Sequence, residues 1–134
     1  MIVFDSDVLI DALRGRKRAM ERVALELRTG DVATTTVNVF ELASGARTQE
    51  ERDKVQALLA PFRVLSFDRP AAREAAEARR NLEAAGQSIG MADYLIAGIC
   101  LSRNGILVTR NREHFARVPG LKLSTFDPDG RPPA

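Results

Sequence analysis

The sequence predicts a single α/β domain in which a central parallel sheet is flanked by helices on both faces. Short apolar runs alternate with longer segments whose apolar residues recur at helical spacing, and this alternation is typical of a parallel sheet. The 134 residues are 45% hydrophobic and 28% charged, which are values of an ordinary globular domain, and the chain has neither an internal repeat nor a linker. We therefore expect one domain over residues 1–126 and a frayed tail over residues 127–134, which is rich in proline and polar residues.

The first half of the chain predicts two strands and three helices. An apolar run at the start of the chain ends in Asp5, which is typical of a buried strand that presents an acid at its carboxyl end. Ser6 and Thr36 are suitable N-caps for the helices that follow the two strands. The expected elements are strand 1–4, helix 7–13, helix 18–28, strand 32–35 and helix 37–46.

The second half continues the alternation. Asp68 is a suitable cap for a helix rich in Ala and Arg, and Gly86 is suited to end that helix. The expected elements are helix 49–59, strand 63–67, helix 70–85, helix 91–103, strand 106–109, a loop or turn through residue 115, and strand 122–126.

Composition points to a cytoplasmic protein. The only cysteine, Cys100, lies in an apolar run, which excludes an internal disulfide and favours a small core residue. The sequence contains no apolar stretch near the roughly 20 residues of a membrane span, and its start does not resemble a signal peptide. The formal net charge is +2 despite 20 Lys and Arg residues, so overall charge alone does not indicate nucleic-acid binding.

Two nearly uncharged helices each carry one carboxylate. Glu41 is the only charged residue of helix 37–46, and Asp93 is the only one between residues 87 and 102. A buried carboxylate is costly unless a paired Lys or Arg, a capping role or a shared cation compensates it. For Asp93, a place in the first turn of its helix is a further explanation.

Asp5 is a third acid of this kind, because it ends the first predicted strand. The carboxyl ends of parallel strands form the ligand crevice of an α/β sheet. Converging carboxylates repel one another, and a bound Mg²⁺ or Mn²⁺ usually neutralises this repulsion. His114 is the only histidine and Cys100 the only cysteine, so a zinc site of His and Cys ligands is not expected.

Four segments in order, residues 2–8 (IVFDSDV), 39–42 (VFEL), 91–97 (MADYLIA) and 107–115 (LVTRNREHF), resemble the PIN-domain signature over nearly the whole chain. The segment 118–121 (VPGL) and the short chain are most similar to VapC-type toxins of toxin–antitoxin pairs. The resemblance implies a Mg²⁺- or Mn²⁺-dependent endoribonuclease, the toxin of a type II pair. It also implies a homodimer and a VapB-like antitoxin as partner.

By this resemblance, Asp5, Glu41 and Asp93 match the metal-binding acidic triad. Asp5 and Asp93 would hold the main ion, while Glu41 would complete its shell through water or act as the general base. Asn111 matches a fourth position that is often Asp, so a second metal ion is in doubt, although Asn can hold a water or a phosphate oxygen.

Other residues match the family pattern less directly. Ser6 and Thr109 match hydroxyl positions near the metal site, and Asp7 is expected to support the adjoining loop. Arg110, Arg112 and the basic run 14–18 are candidate RNA contacts, with an ordinary solvated surface as the alternative. Arginines in residues 69–80 are expected to form ion pairs on a helix surface. His114 is expected to support the turn at Phe115 without a catalytic role.

Two other functions fit part of the sequence. A PIN-like module that binds RNA or protein without cutting is favoured only by the neutral Asn111. A haloacid-dehalogenase-like phosphatase is favoured only by residues 4–10 (FDSDVLI), since the first Asp would be its nucleophile. That phosphatase also requires a later pair of acids and a lysine, but Asp93 has no acidic neighbour within four residues and Lys122 is the only lysine after Lys54.

Overall fold

The computed structural model describes residues 1–129, which form five strands and seven helices around one sheet. The strands are β1 (Ile2–Phe4), β2 (Val32–Thr35), β3 (Arg63–Leu65), β4 (Ile106–Val108) and β5 (Lys122–Leu123). The helices are α1 (Ser6–Leu13), α2 (Lys17–Thr29), α3 (Thr36–Gly45), α4 (Gln49–Leu59), α5 (Arg69–Ala84), α6 (Met91–Arg103) and α7 (Arg112–Phe115). Among the described residues, no helix is long and apolar enough to cross a membrane.

All strand pairs are parallel, in the order β3-β2-β1-β4-β5. The short strand β1 is therefore central, and it pairs on one side with β2 (Ile2 opposite Val32) and on the other with β4 (Phe4 opposite Val108). The predicted α/β class with a parallel sheet is confirmed.

Two apolar layers cover the two faces of the sheet, because neighbouring strand residues point in opposite directions. Val3 and Leu107 pack with α5 and α6, whereas Phe4 and Val108 pack with α1, α2 and α4. The expected helices on both faces are present.

Helices α5 and α6 approach each other closely at Gly98. A Cβ atom at this position would overlap the carbonyl oxygen of Ala71 and would lie 2.7 Å from the Cβ of Ala75. Glycine is therefore required at Gly98 by the close contact, and the small residues Ala71 and Ala75 complete it.

Several boundaries differ from the predictions. Asp5, and not Ser6, caps α1 by accepting a hydrogen bond from the Ser6 backbone N–H, and Thr35, and not Thr36, caps α3. In both cases the polar residue one position earlier has the extended backbone that a cap requires. The strands β3 and β5 are shorter than expected, and the loop before Phe115 contains α7. Residues 130–134 of the predicted tail lie outside the described residues, so the frayed tail stays a prediction.

Candidate active site at the carboxyl edge of the sheet

The candidate site lies beyond the carboxyl ends of the three central strands. Asp5 follows β1, Thr35 is the last residue of β2, and Thr109 follows β4. Since β1 lies between β2 and β4, these residues come from adjacent strands that end at one edge. Helices α1 and α3 begin at the same edge, so their first backbone N–H groups and side chains reach the same crevice.

Asp5 is held by three neutral donors. Its side chain is almost fully buried, with the residue 7% exposed. Oδ1 accepts hydrogen bonds from the Ser6 backbone N–H at 2.8 Å and from Asn38 Nδ2 at 3.0 Å, and Oδ2 accepts one from Thr109 Oγ1 at 2.7 Å. Among the residues that the structure describes, none forms an ion pair with Asp5.

Burial raises the pKa of Asp5 to about 7, and the negative charges of Asp7 and Asp93 act in the same direction. Hydrogen bonds from Thr109 and Ser6 oppose this rise without cancelling it. Asp5 is therefore a carboxylate whose charge this fold does not itself neutralise.

Glu41 reaches the site through Ser6. The Ser6 hydroxyl donates to Glu41 Oε1 at 2.8 Å and accepts from Asn38 Nδ2 at 2.8 Å. Glu41 is half-buried, and the apolar residues around it are not all in the core, because Phe40 is 70% exposed. The helix that carries this lone charge is thus less buried than its composition suggested.

Asp93 lies in the first turn of α6. The N-cap there is Gly90 and no side chain caps the helix, so Asp93 has no capping role, whereas the other explanation, an acid in the first turn, is confirmed. Burial raises the pKa of Asp93, the charges of Glu41 and Asp7 raise it further, and His114 opposes them. The charges of the predicted triad are therefore near enough to interact, since Asp93 acts on Asp5 and Glu41 acts on Asp93.

Asn111 connects this acid to helix α7. Its Nδ2 donates to Asp93 Oδ2 at 3.4 Å and lies 3.2 Å from His114 Nδ1, while its backbone N–H donates to Thr109 Oγ1 at 3.0 Å. An amide nitrogen can only donate, so a hydrogen bond between these two atoms requires the form of His114 in which Nδ1 carries no proton. His114 thus lies beside the acids as well as next to Phe115.

Asp7 supports the neighbouring loop, as expected. Its Oδ2 accepts from the Arg110 backbone N–H at 3.0 Å and lies 3.3 Å from Thr109 Oγ1, whose single hydrogen is directed at Asp5 Oδ2. Its other oxygen, Oδ1, is buried and has no hydrogen-bond partner. A buried acceptor without a donor is costly, so this atom is available to a bound cation or to water.

The donor chemistry of the site fits a hard divalent cation. All candidate ligands are oxygen atoms, the pKa values of Asp5, Asp7 and Asp93 are raised, and one buried carboxylate oxygen is unpartnered. Within residues 1–129, no three acidic, His or Cys side chains are arranged to hold an ion together directly. An ion at this site would therefore be held by fewer than three of these side chains and by water.

The basic residues that were predicted to contact RNA differ in their surroundings. Arg110 lies beside the acids, and its Nε is 3.0 Å from Oδ2 of the buried Asp11, whose Oδ1 is 3.5 Å from Arg16 Nε. Arg112 instead donates to the backbone carbonyl of Ser124. Elsewhere in the run 14–18, Lys17 and Arg18 lie near Glu21, at 3.9 and 3.8 Å.

Sequence reasoning missed two residues of the site, Thr35 and Asn38. Both are fully buried, and the Thr35 hydroxyl donates to Asn38 Oδ1 at 2.7 Å. The available signal was two polar residues three positions apart at the start of an otherwise apolar helix.

Comparisons with known proteins show the family to which the chain belongs. Residues 2–121 match the PIN domain family. The chain is 38% identical over 134 residues, all of both chains, to a protein named ribonuclease VapC10 from Mycobacterium tuberculosis. It is 31% identical over 128 residues to a tRNA(fMet)-specific endonuclease VapC from Shigella flexneri, covering 92% of this chain and 96% of the relative.

The fold is also similar to that of a chain in the crystal structure of VapBC2 from Rickettsia felis bound to a promoter DNA fragment. The TM-score is 0.88 at 25% identity, with 95% of this chain and 100% of that chain covered. These matches leave the phosphatase alternative without support. The chain therefore belongs to the PIN-domain family and, within it, to the VapC-type ribonucleases.

Proposed function

We propose that this protein is a Mg²⁺- or Mn²⁺-dependent endoribonuclease, the toxin of a type II toxin–antitoxin pair, and that Asp5, Glu41, Asp93 and Asn111 form its active site. The observation that carries the proposal is the buried Asp5 carboxylate, which has neutral donors only and acidic neighbours. Such a site favours binding of a divalent cation and, with it, of a polyanionic substrate.

Asp5 and Asp93 would hold the ion. When bound, it supplies positive charge for the phosphodiester in the transition state and makes a water molecule easier to deprotonate. The remaining steps are assigned to side chains of this protein.

Glu41 is the candidate general base. Ser6 occupies its Oε1, and no residue of the described chain donates to Oε2, so Oε2 is the atom left to take a proton from the attacking water. Ser6 and Thr109 orient the acids, since their hydroxyls donate to Glu41 and Asp5. Asn111 keeps Asp93 in place and presents an amide beside it.

Arg110 is the best placed candidate for an RNA phosphate contact. It is 43% exposed, its backbone N–H is bonded to Asp7, and Asp11 orients its guanidinium. Arg16 lies on the other oxygen of Asp11 and extends this positive surface. We expect Arg112 to contribute less, because it is engaged with Ser124.

A cleavage assay tests the metal and the site together. Purified wild-type protein should cut RNA with Mg²⁺ or Mn²⁺ and stop with EDTA. Asp5→Asn and Asp93→Asn should each lose more than about 100-fold in rate, because direct ligands matter at least as much as the residues that orient them. Asp53→Asn, on the exposed helix α4, is the matched control and should cut normally. Undiminished cleavage by Asp5→Asn, with contamination excluded, would refute the assignment.

We further propose that the protein is a homodimer that a VapB-like antitoxin inhibits. Support comes from structural relatives that are described as VapBC complexes, including one from Salmonella typhimurium bound to DNA (TM-score 0.79, 26% identity, 92% of this chain and 98% of that chain covered). A groove of about 500 Å³ between α1, α3 and α4 has an apolar part formed by Ile10, Leu13, Leu42 and Val55, and its other lining residues include the charged Arg14, Glu41, Glu51 and Lys54. An apolar antitoxin segment would fit there, next to the acids.

Light scattering tests the proposed homodimer and the proposed complex with the antitoxin. The protein alone should have the mass of a dimer at micromolar concentration, and the product of the adjacent gene should increase that mass. Leu13→Asp, in the groove, should weaken the complex without dissociating the dimer, whereas Val64→Asp, exposed on the edge strand β3, should not affect binding. A monomer that does not gain mass with the adjacent gene product would count against both the homodimer and the antitoxin complex.

A further inference from the structure

Asn38 is a fully buried polar residue that has no role in the proposed chemistry so far. It lies in the first turn of α3 and is 0% exposed. Its Nδ2 donates to both Asp5 Oδ1, at 3.0 Å, and Ser6 Oγ, at 2.8 Å. Its Oδ1 accepts from Thr35 Oγ1 at 2.7 Å. Both amide hydrogens and the amide oxygen are thus used inside the site.

Thr35 fixes the direction of this amide. The Thr35 hydroxyl oxygen accepts from the Asn38 backbone N–H at 3.2 Å, which leaves its hydrogen to be donated to Asn38 Oδ1. If the amide were rotated by half a turn, its oxygen would face the Asp5 carboxylate, and two acceptors would be in contact without a hydrogen between them. The amide nitrogen of Asn38 therefore has to face Asp5.

This direction distinguishes the two oxygens of Asp5. A carboxylate oxygen has two acceptor positions, and Oδ1 receives two donors, the Ser6 backbone N–H and Asn38 Nδ2. Oδ2 receives only the Thr109 hydroxyl, so one acceptor position of Oδ2 remains. Oδ2 is therefore the oxygen of Asp5 that is left for a cation.

The same amide also acts on Glu41. Because Ser6 Oγ accepts from Asn38, its own hydrogen is free to be donated to Glu41 Oε1, and the bond is 2.8 Å long. One amide group thereby sets the orientation of two carboxylates that come from different elements, α3 and the end of β1.

We propose that Asn38 is a positioning residue that presents Oδ2 of Asp5 to the cation and, through Ser6, fixes the carboxylate of Glu41. The inference rests on the proposed metal-dependent function of this site. It adds a residue that touches neither the RNA nor the ion and acts only through Asp5 and Ser6.

Calorimetric titration with Mn²⁺, without RNA, tests the proposal on Asn38→Leu. Leucine has the branching of asparagine but no polar atoms, so it fills the same space. Residues that orient metal ligands typically contribute about 10–100-fold in metal affinity, and we expect a loss in this range. The affinity for RNA in EDTA should not change, because Asn38 is buried. Thr34→Val is the matched control, since the buried Thr34 hydroxyl donates to the Phe4 carbonyl, outside this network, and its Mn²⁺ affinity should equal that of wild type.

The outcomes separate the two proposals. If the wild type binds no Mn²⁺, or if Asp5→Asn does not abolish the binding, the proposed metal site itself is wrong. If the wild type shows Asp5-dependent binding and folded Asn38→Leu binds equally well, only the positioning role is overturned. Should Asn38→Leu fail to fold, Thr35→Val tests the same role, because it removes the hydroxyl that orients the Asn38 amide. Its Mn²⁺ affinity should fall several-fold, and unchanged affinity would overturn the role.

Discussion

The two ends of helix α1 hold buried aspartates in opposite ways. At the C-terminal end, the Asp11 side chain is 3% exposed, and each of its oxygens lies near an arginine, Arg16 at 3.5 Å and Arg110 at 3.0 Å. At the N-terminal end, Asp5 is buried with hydroxyl and amide donors only, and Asp7 lies beside it. Two carboxylates of one short helix thus differ in whether this protein itself supplies the opposite charge.

The difference shows how a stable fold can retain a reactive site. Asp11 forms ion pairs with groups of the same chain, so its charge contributes to the folded state. The charge at Asp5 works against folding, as its raised pKa indicates, so either protonation or a bound cation would relieve it. Comparison of the two aspartates therefore separates stability from function within one element.

The largest effect on stability should come from Asp5→Asn. Asparagine keeps an acceptor for Ser6 and Asn38, and its amide can donate to Thr109 Oγ1, whose hydrogen then turns to Asp7 Oδ2, at present 3.3 Å away. With the charge removed, we expect the free energy of unfolding in EDTA to rise by about 1–3 kcal/mol near pH 8. Urea denaturation measures it, and Asp53→Asn, on the surface of α4, should leave stability unchanged.

The size of this effect should depend on pH in a defined window. Burial raises the pKa of Asp5 from 3.8 to about 7, so between these values the folded state binds more protons than the unfolded state. The contribution of Asp5 to stability is therefore most favourable below that window and is lost as the pH rises through it. The gain from Asp5→Asn should vanish near pH 4 and be complete above pH 7, and a gain that is constant with pH would contradict the shift.

Asp11→Asn should have the opposite sign. The same substitution here removes the partner of Arg16 and Arg110, and we expect a loss of about 1–2 kcal/mol in the same urea experiment. Asp31→Asn is a control that also removes an ion pair, the one with the amino terminus, but at a 67% exposed side chain, so its effect should be under about 1 kcal/mol. If Asp11→Asn stabilised the fold as Asp5→Asn does, the contrast between the two ends of α1 would be wrong.

The smallest effect should come from Asn111→Asp. This substitution adds an acid next to Asp93, in the part of the molecule where the fold supplies no positive charge to the carboxylates. The new carboxylate would face Asp93 Oδ2, which now accepts from Asn111 Nδ2 at 3.4 Å, and a cation would relieve the repulsion. Single-turnover cleavage should then reach half its maximal rate at a metal concentration a few times lower, a change of under about 1 kcal/mol.

Asn111 has a competing role as a donor to the scissile phosphate, which an ionised Asp cannot fill. In that case the rate would be lower at every metal concentration, with an unchanged midpoint. Asn111→Ala serves as a control, because it removes both roles without adding charge.

Most of the architecture was predictable, because the period of the apolar residues is set by burial. The strands around Val3, Ala33 and Leu107 and the long helices followed from it. Element ends were less predictable, since the capping side chain is chosen by local backbone geometry. Asp5 and Thr35 were each available as caps, but the residue after each of them was equally suited by type.

The site was predictable to the extent that isolated charges reveal it. Asp93 and Glu41 stood out because their helices contain no other charge nearby, whereas Asn38 did not, because neutral polar residues are common in helices. Its importance depends on distances to Asp5 and Ser6, residues more than 30 positions earlier, and no local pattern contains that information.

The hydrogen bond between Thr109 and Asp5 joins residues 104 positions apart, and β4 must pair with β1 before it can form. In a chain that is still being synthesised, Asp5 and Asp7 are therefore made early but lack Thr109, Asn111 and Arg110 until β4 has left the ribosome. A site assembled in this way cannot be complete before most of the sequence has been translated. The position of β1 between β2 and β4 thus postpones the meeting of these acids with their hydrogen-bond donors until late in synthesis.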